Sequence, residues 1–245
     1  MQDRHNTAEL LSTIQKQASH LGSRGLFVFD LDSTLFDVSP RLERILMDYA
    51  AHPEHQARFP ESCEMLKNIK MLRSDWGIKN ALIRAGLDDH HPEFHDSIKA
   101  FWKKTFFSNE YLHYDIPYEG AVEFVQKVAD FGCEIAYLTG RDVLRMARGS
   151  EEVLRKWNFP LSGPQAQLVL KPQAGLDDAE FKTNWFRGVP HKAYDKIWFF
   201  ENEPVNVNMV AQHLDHIEIV FFHSTHSGQQ EAPENIPRIM NYLLR

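Results

Sequence analysis

Two aspartates, Asp30 and Asp32, end the apolar part of the segment LFVFDLDSTLF at residues 26–36. A carboxylate can act as a nucleophile, and a second one close by can carry protons to and from the reacting groups. Phe27, Val28 and Phe29 show no polar alternation, so the run reads as a strand buried on both faces, as in a covered sheet. The pair falls where that strand ends, and Ser33 and Thr34 suit a turn there. In open α/β sheets, ligands bind in the crevice beyond the carboxyl ends of the strands. The alternative is that one aspartate merely caps a following helix.

The elements that must hold this pair follow from the rest of the chain. Residues 9–21 can form an amphipathic helix before the first strand. From about residue 40 to 107 the spacing is mostly helical: Leu42, Ile45, Leu46 and Tyr49 mark one helix over 41–49, with others predicted at 60–72, 75–85 and 92–106. An α/β pattern resumes with a helix over 118–131, a buried strand over 133–138, and a helix from about 150 to 157. Strands at 167–170, 196–200 and 217–222 alternate with helices at 178–187 and 204–213, and the polar stretch 223–235 reads as a loop before a short terminal helix. Helices between successive buried strands imply right-handed crossovers and a mainly parallel sheet. The predicted architecture is α/β: a doubly wound, mainly parallel, Rossmann-like sheet from residues 1–36 and 115–245, interrupted by a helical domain at 37–114.

Composition narrows the partners. The 245 residues are 43% hydrophobic and 25% charged, ordinary for a globular chain. A net charge of -7, from 27 Lys and Arg against 34 Asp and Glu, argues against a nucleic-acid backbone as the main partner. Cys63 and Cys133 are too few for a disulfide framework and read as buried free thiols. The opening MQDRHNTAEL lacks the apolar core of a secretory signal, and no run reaches membrane-span length. The expectation is a cytoplasmic protein without membrane association. Apolar residues of the helical insert can bury internally or across a partner, so the sequence leaves the oligomeric state open.

Four strand-end motifs occur in order. Asp30-Leu31-Asp32-Ser33-Thr34 fits DxDx[TV]; Thr139-Gly140-Arg141 ends the next strand; Lys182 in EFK and Lys171 in LKP compete as a lysine motif; and Glu201 opens ENEP after Trp198, Phe199 and Phe200. In this order they resemble the phosphohydrolases of the haloacid dehalogenase (HAD) superfamily, over residues 26–222. The resemblance implies magnesium-dependent hydrolysis of a small phosphorylated metabolite through an aspartyl-phosphate. It implies Asp30 as nucleophile and metal ligand, Asp32 as proton shuttle with its backbone carbonyl on the metal, and Thr34 as a brace for the loop. Thr139 becomes the phosphate-binding hydroxyl, with Gly140 allowing close backbone approach, and Glu201 a further metal ligand.

The chemistry asks for these residue types independently of the name. Carboxylate attack on phosphorus splits hydrolysis into two easier displacements. An acid at Asp32 suits an alkoxide leaving group, which a halide would not require, so phosphate chemistry is favoured over dehalogenation. A lysine offsets charge gathering on the phosphoryl group. Lys182 is preferred because residues 177–181, DDAEF, place it early in a helix, while Lys171 sits near another strand end. Arg141 reads either as a phosphate contact or as part of a structural ion pair.

The ENEP region departs from the usual aspartate pair. Glu201 is longer, Asn202 is neutral, and the later acidic position is Asn206 or is missing; asparagine can still offer a carbonyl oxygen to a hard cation. Glu203, before Pro204, reads as a helix-start residue. The insert resembles the helical cap of many family members, and closing it over the pocket would exclude water and select substrates. Trp76, Trp102, Phe106 and Phe107 can line that pocket, although a core role is the more ordinary reading. His90, His91 and His95 lack a ligand constellation for zinc. Two rivals stay open: phosphotransferase or phosphomutase action on the same scaffold, and a catalytically weak binding protein with a degenerate metal site.

Overall fold

The computed structural model describes residues 2–87, 91–161 and 163–244. The chain begins with α1 (Gln2–Leu21), β1 (Gly25–Phe29) and the two-residue β2 (Phe36–Asp37). Five helices follow: α2 (Ser39–Ala51), α3 (Pro53–Arg58), α4 (Pro60–Leu66), α5 (Lys79–Arg84) and α6 (Pro92–Phe106). The chain returns through β3 (Ile116–Pro117) to α7 (Ala121–Asp130), β4 (Glu134–Asp142), α8 (Val143–Lys156) and β5 (Ala166–Lys171). It ends with α9 (Asp178–Gly188), β6 (Lys196–Glu201), α10 (Pro204–His213), β7 (Ile217–Phe222) and β8 (Arg238–Ile239). No helix among the described residues is long and apolar enough to cross a membrane.

Six strands form one parallel sheet in the order β5-β4-β1-β6-β7-β8. The fold is α/β and Rossmann-like, with helices on both faces. Every residue of β1 is buried, because its side chains alternate between two apolar layers. Phe27 and Phe29 join the layer formed with α1, α7 and α8; Leu26 and Val28 join the one formed with α9 and α10. Phe27 stacks on Trp198 at 4.4 Å and Phe29 on Phe200 at 4.8 Å, so β1 and β6 share an aromatic face as well as a hydrogen-bonded ladder. Cys63 and Cys133 are buried free thiols.

The order of strands sets the position of any site. From β1 the chain moves to β4 and β5 on one side, then crosses to β6, β7 and β8 on the other. The carboxyl end of β1 therefore lies at the point where the winding reverses, where a crevice opens between the connecting loops.

Helices α2 to α6 pack around a separate apolar core that includes Leu42, Leu46, Tyr49, Leu66, Leu82, Phe94 and Ile98. This insertion joins the sheet through a narrow neck. In it β2 pairs antiparallel with β3, Phe36 opposite Pro117 and Asp37 opposite Ile116.

Several elements differ from the sequence prediction for identifiable reasons. The chain at 67–78 leaves helix because the Asp75 carboxylate captures the Leu72 N–H at 2.8 Å and Gly77 adopts a positive φ of 67°. Helix α8 starts at Val143 rather than near residue 150, since Asp142 caps it by accepting the Arg145 N–H at 3.0 Å. Helix α3, which the sequence reading leaves out, opens on Pro53 in its first turn. The predicted terminal helix is instead strand β8: the free edge of β7 supplies partners, with Phe221 N–H donating to Pro237 O and His223 N–H to Ile239 O.

Beyond β8, Tyr242 stacks on Phe222 at 5.2 Å and packs its backbone against Gly120, whose φ is 78°. A Cβ at Gly120 would meet the Tyr242 carbonyl oxygen at 2.6 Å. Gly120→Ala is thus expected to destabilise the fold by about 2–4 kcal/mol, combining left-handed strain with overpacking. A fall in the urea midpoint at unchanged slope is the readout; an unchanged midpoint would contradict this account.

Candidate functional site

Asp30 follows the last residue of β1, and its backbone N–H donates to Phe200 O at 3.0 Å, continuing the sheet pairing. A tight loop comes next. Leu31 O accepts the N–H groups of Thr34, Leu35 and Phe36, and Ser33 takes a positive φ of 61°. The loop turns the chain out of the sheet within a few residues while both aspartates stay at the crevice.

Lys182, early in α9 behind the Asp177 cap, reaches across the end of β6. Its Nζ donates to Asp30 Oδ1 and to Glu201 Oε2, both at 2.6 Å, and all three side chains are buried. Lys171 does not join them: its ammonium is held by the Asp178 carboxylate and by Leu176 O at 3.0 Å. Of the two lysines that competed in the sequence, the structure brings Lys182 to the carboxylates.

Glu201 is held on both oxygens. Oε1 accepts the N–H groups of Asn202 and Glu203 at 2.9 and 3.0 Å, while Oε2 accepts from Lys182 and from Asn206 Nδ2 at 3.0 Å. Asn206 therefore turns its amide donor, not its carbonyl, toward the carboxylate. The Asn202 carbonyl accepts from the Thr34 hydroxyl at 3.0 Å, and its amide donates to Thr225 O at 2.6 Å. Thr34 lies equally near Asp30 Oδ2, at 3.0 Å, so it braces the nucleophile candidate and the β6 loop rather than loop backbone. Glu203 stands at the N-cap position of α10, yet its carboxylate binds the Ser227 N–H and hydroxyl instead of the helix.

At the end of β4 the pairing with β5 shifts register between Thr139 and Asp142, re-aiming this segment toward the crevice. Thr139 is buried, and its Oγ1 accepts the Arg141 N–H at 3.3 Å. A Cβ at Gly140 would fall 2.4 Å from the Asp178 carboxylate, so a larger residue there displaces that half-exposed side chain.

Asp32 has a different environment from Asp30. Its Oδ1 accepts from Arg141 Nη2 at 2.5 Å and from Arg41 Nη2 at 2.7 Å. Both arginines also meet Asp115: Arg141 Nη2 at 2.7 Å and Arg41 Nε at 3.0 Å. Arg41, Arg141 and Asp115 are fully buried, forming with Asp32 a cluster of two cations and two anions. Arg141 thus makes an internal ion pair, one of the two roles the sequence allowed. Arg41 and Asp115 were not singled out in the sequence. A signal existed for the first, since Arg41 occupies the same helical stripe as Ile45 and Tyr49, where a charge needs a partner.

The carboxylates titrate accordingly. Burial pushes Asp30 up to about 7, against the pull of Lys182 and with a further push from Glu201. Burial would also raise Asp32, but the guanidinium groups of Arg141 and Arg41 outweigh it and hold that carboxyl well below the usual range. Asp115 rises to about 6 because its burial is only partly offset by the same arginines.

These residues open on a cavity of about 250 Å³ lined by Asp30, Asp32, Thr139, Gly140, Arg141, Lys182, Glu201, Asn202 and Asn206. Trp76, Trp102, Phe106 and Phe107 from the insertion complete its wall, so the site role set aside in the sequence as less ordinary is what the fold gives them. Trp102 and Phe106 serve the insertion's apolar core as well. His90 lies outside the described residues. Among the described residues no group of three or more His, Cys, Asp or Glu side chains gathers as a metal cage. At the strand ends two carboxylates, Asp30 and Glu201, converge on a single cation, the Lys182 ammonium. Both present oxygen donors, the kind that suits a hard divalent ion.

A nucleophile candidate, a buried ammonium and a second carboxylate thus meet at the carboxyl edge of a parallel sheet. A family model described as haloacid dehalogenase-like hydrolase matches residues 25–214, and the chain belongs to that family. Similar solved structures share the fold at low identity. A Clostridium difficile protein described as a candidate phosphatase has a TM-score of 0.51 at 14% identity, covering 82% of this chain and 86% of its own. A HAD-superfamily hydrolase of subfamily IA, variant 1, from Geobacter sulfurreducens gives 0.50 at 12% identity, covering 90% and 94%. Protein tyrosine kinase A from Mycobacterium tuberculosis gives 0.50 at 14% identity, covering 89% and 94%. No curated protein matches the chain.

Proposed function

We propose that this hydrolase is a magnesium-dependent phosphatase of small phosphate monoesters, working through an aspartyl-phosphate on Asp30, with the helical insertion as its cap. The observation that carries the reading is the Lys182 ammonium bridging Asp30 and Glu201 at 2.6 Å each, beside Thr139 on the neighbouring strand end. That arrangement offers a nucleophilic oxygen next to fixed positive charge, where a phosphoryl group gains most from it.

In this reading Asp30 attacks phosphorus, Thr139 and Lys182 hold the phosphoryl oxygens, and Asp32 transfers protons. Arg41 and Arg141 hold Asp32 as a carboxylate, which suits the second step, where it deprotonates the water that cleaves the intermediate, and works against the first, where it must donate a proton to the leaving alkoxide. Asp30, Glu201 and the Asp32 carbonyl would hold the magnesium ion, which supplies charge neutralisation and orientation to the phosphoryl group. Thr34, Asn202 and Asn206 keep the two carboxylates in place.

The test is release of phosphate from a panel of metabolite monoesters with magnesium and with chelator, together with acid-quench trapping of labelled phosphate on the protein. Metal-dependent release, and label mapping to the peptide containing Asp30 but missing in Asp30→Asn, are the expected results. Label passing to an organic acceptor instead of water would make the enzyme a phosphotransferase or mutase. One observation favours a catalytically weak binding protein: both Glu201 side-chain oxygens and Asp30 Oδ1 already accept hydrogen bonds. Metal-dependent turnover on any member of the panel eliminates that second reading.

A further inference from the structure

The core and the insertion both hold Asp32, and both hold it by the same oxygen. Arg141, from β4, donates to Oδ1 at 2.5 Å, and Arg41, from the first turn of α2, donates to it at 2.7 Å. Every hydrogen bond to this carboxylate falls on Oδ1, while the side chain keeps 30% of its surface exposed and lines the strand-end cavity. A carboxylate held at one oxygen by a single donor can swivel about its Cβ–Cγ bond. Two donors from different parts of the fold remove that freedom, so that one oxygen is fixed and the other is presented.

Arg41 is itself over-determined. Its Nη1 donates to Phe106 O at 3.3 Å, its guanidinium lies 4.0 Å over the Phe106 ring, and its Nε pairs with Asp115 at 3.0 Å. The residue belongs to the first helix of the insertion, Phe106 ends the last one, and Asp115 lies where the chain returns to the core. The Arg41 side chain has no exposed surface. It does not meet a substrate, and anything it does for the reaction it does through Asp32.

We propose that Arg41 is a positioning residue for the second half of the reaction: from the insertion it fixes the Asp32 carboxylate with Oδ2 directed at the aspartyl-phosphate. Water attacks phosphorus, one of its protons passes to Oδ2, and the bond from phosphorus to the Asp30 oxygen breaks, with its electron pair returned to the Asp30 carboxylate. Inorganic phosphate leaves. The insertion thereby sets the rate at which the intermediate is hydrolysed, apart from any contact with the substrate. The inference rests on the phosphatase reading and adds to it the residue that aims the proton acceptor.

Radiolabelled p-nitrophenyl phosphate separates the two halves, because its phenolate leaves without needing a proton and loading of Asp30 makes little demand on Asp32. Decay of the labelled protein after an unlabelled chase then reads the second half alone, with no part played by substrate binding. Arg41→Lys keeps the buried cluster balanced in charge but cannot serve Asp32, Asp115 and Phe106 O together. It is expected to slow decay by at least about tenfold, with loading changed less than about threefold, so that the labelled fraction at steady state rises. Phe106→Leu leaves Arg41 in place and takes away the ring beneath it. It should slow the same decay by a smaller factor, and it carries the test if Arg41→Lys does not fold. Unchanged decay in the folded variant, or loading and decay slowed alike, overturns the proposal and leaves the phosphatase reading intact. A wild-type protein that takes up no label and turns over no member of the monoester panel overturns both.

Discussion

Lys182→Met is expected to lower kcat/KM for hydrolysed phosphate esters by about 10²–10³-fold, the usual effect of deleting one fixed charge that faces a developing anion. The geometry adds a second consequence. Without its ammonium, two buried carboxylates that now meet at one nitrogen, Asp30 and Glu201, face each other uncompensated. Removing one member of a buried ionic group typically costs about 3–5 kcal/mol. The variant should therefore unfold at lower urea as well as turn over slowly. Lys171→Met is the informative comparison, because that ammonium is tied to Asp178 and Leu176. It is expected to cost less than tenfold in turnover. Equal losses in the two variants would refute the assignment of the phosphate lysine.

The second large effect concerns the cluster around Asp32. Asp115→Leu leaves two buried guanidinium groups with a single carboxylate between them and is expected to cost about 3–5 kcal/mol. Arg41→Met should cost a comparable amount, since it strips Asp115 of a partner and removes a guanidinium lying 4.0 Å over the Phe106 ring. The double variant restores equal numbers of cations and anions with apolar side chains in place of one pair. Its loss should fall short of the sum of the singles by about 1–3 kcal/mol. Urea unfolding of the four proteins closes the cycle, and additive losses would show that the four charges do not act as a unit.

Much of the scaffold was legible because its signals are local. The apolar run before Asp30, the strands at 196–200 and 217–222, and the helices at 92–106 and 204–213 are written in consecutive residues and end at turn or proline signals. Strand β8 was not legible, because its existence depends on the free edge of β7 and on Phe222 stacking with Tyr242. The same divide runs through the site. Asp30 follows β1, Thr139 and Glu201 lie toward the ends of β4 and β6, Lys182 sits early in α9, and the fold gathers all four around one cavity. Arg41 and Asp115 act across long stretches of chain, so their partnership with Asp32 needed the folded geometry. Asn202 and Asn206, possible additional ligands on the sequence, hydrogen-bond in the fold with Thr34 and Glu201.

The neck at β2 and β3 bears on how the chain assembles. Strand β1 must find β4 across the whole insertion, a non-local pairing of the kind that slows folding. Once Phe36 and Asp37 are paired with Pro117 and Ile116, the five helices become a closed loop, and the path from β1 to β4 shortens to a few turns of chain. The entropy of closing that loop is then borne by the insertion's own packing. With both ends of the insertion fixed at the neck, its helices can vary in length and sequence without changing the register of the strands that carry the chemistry.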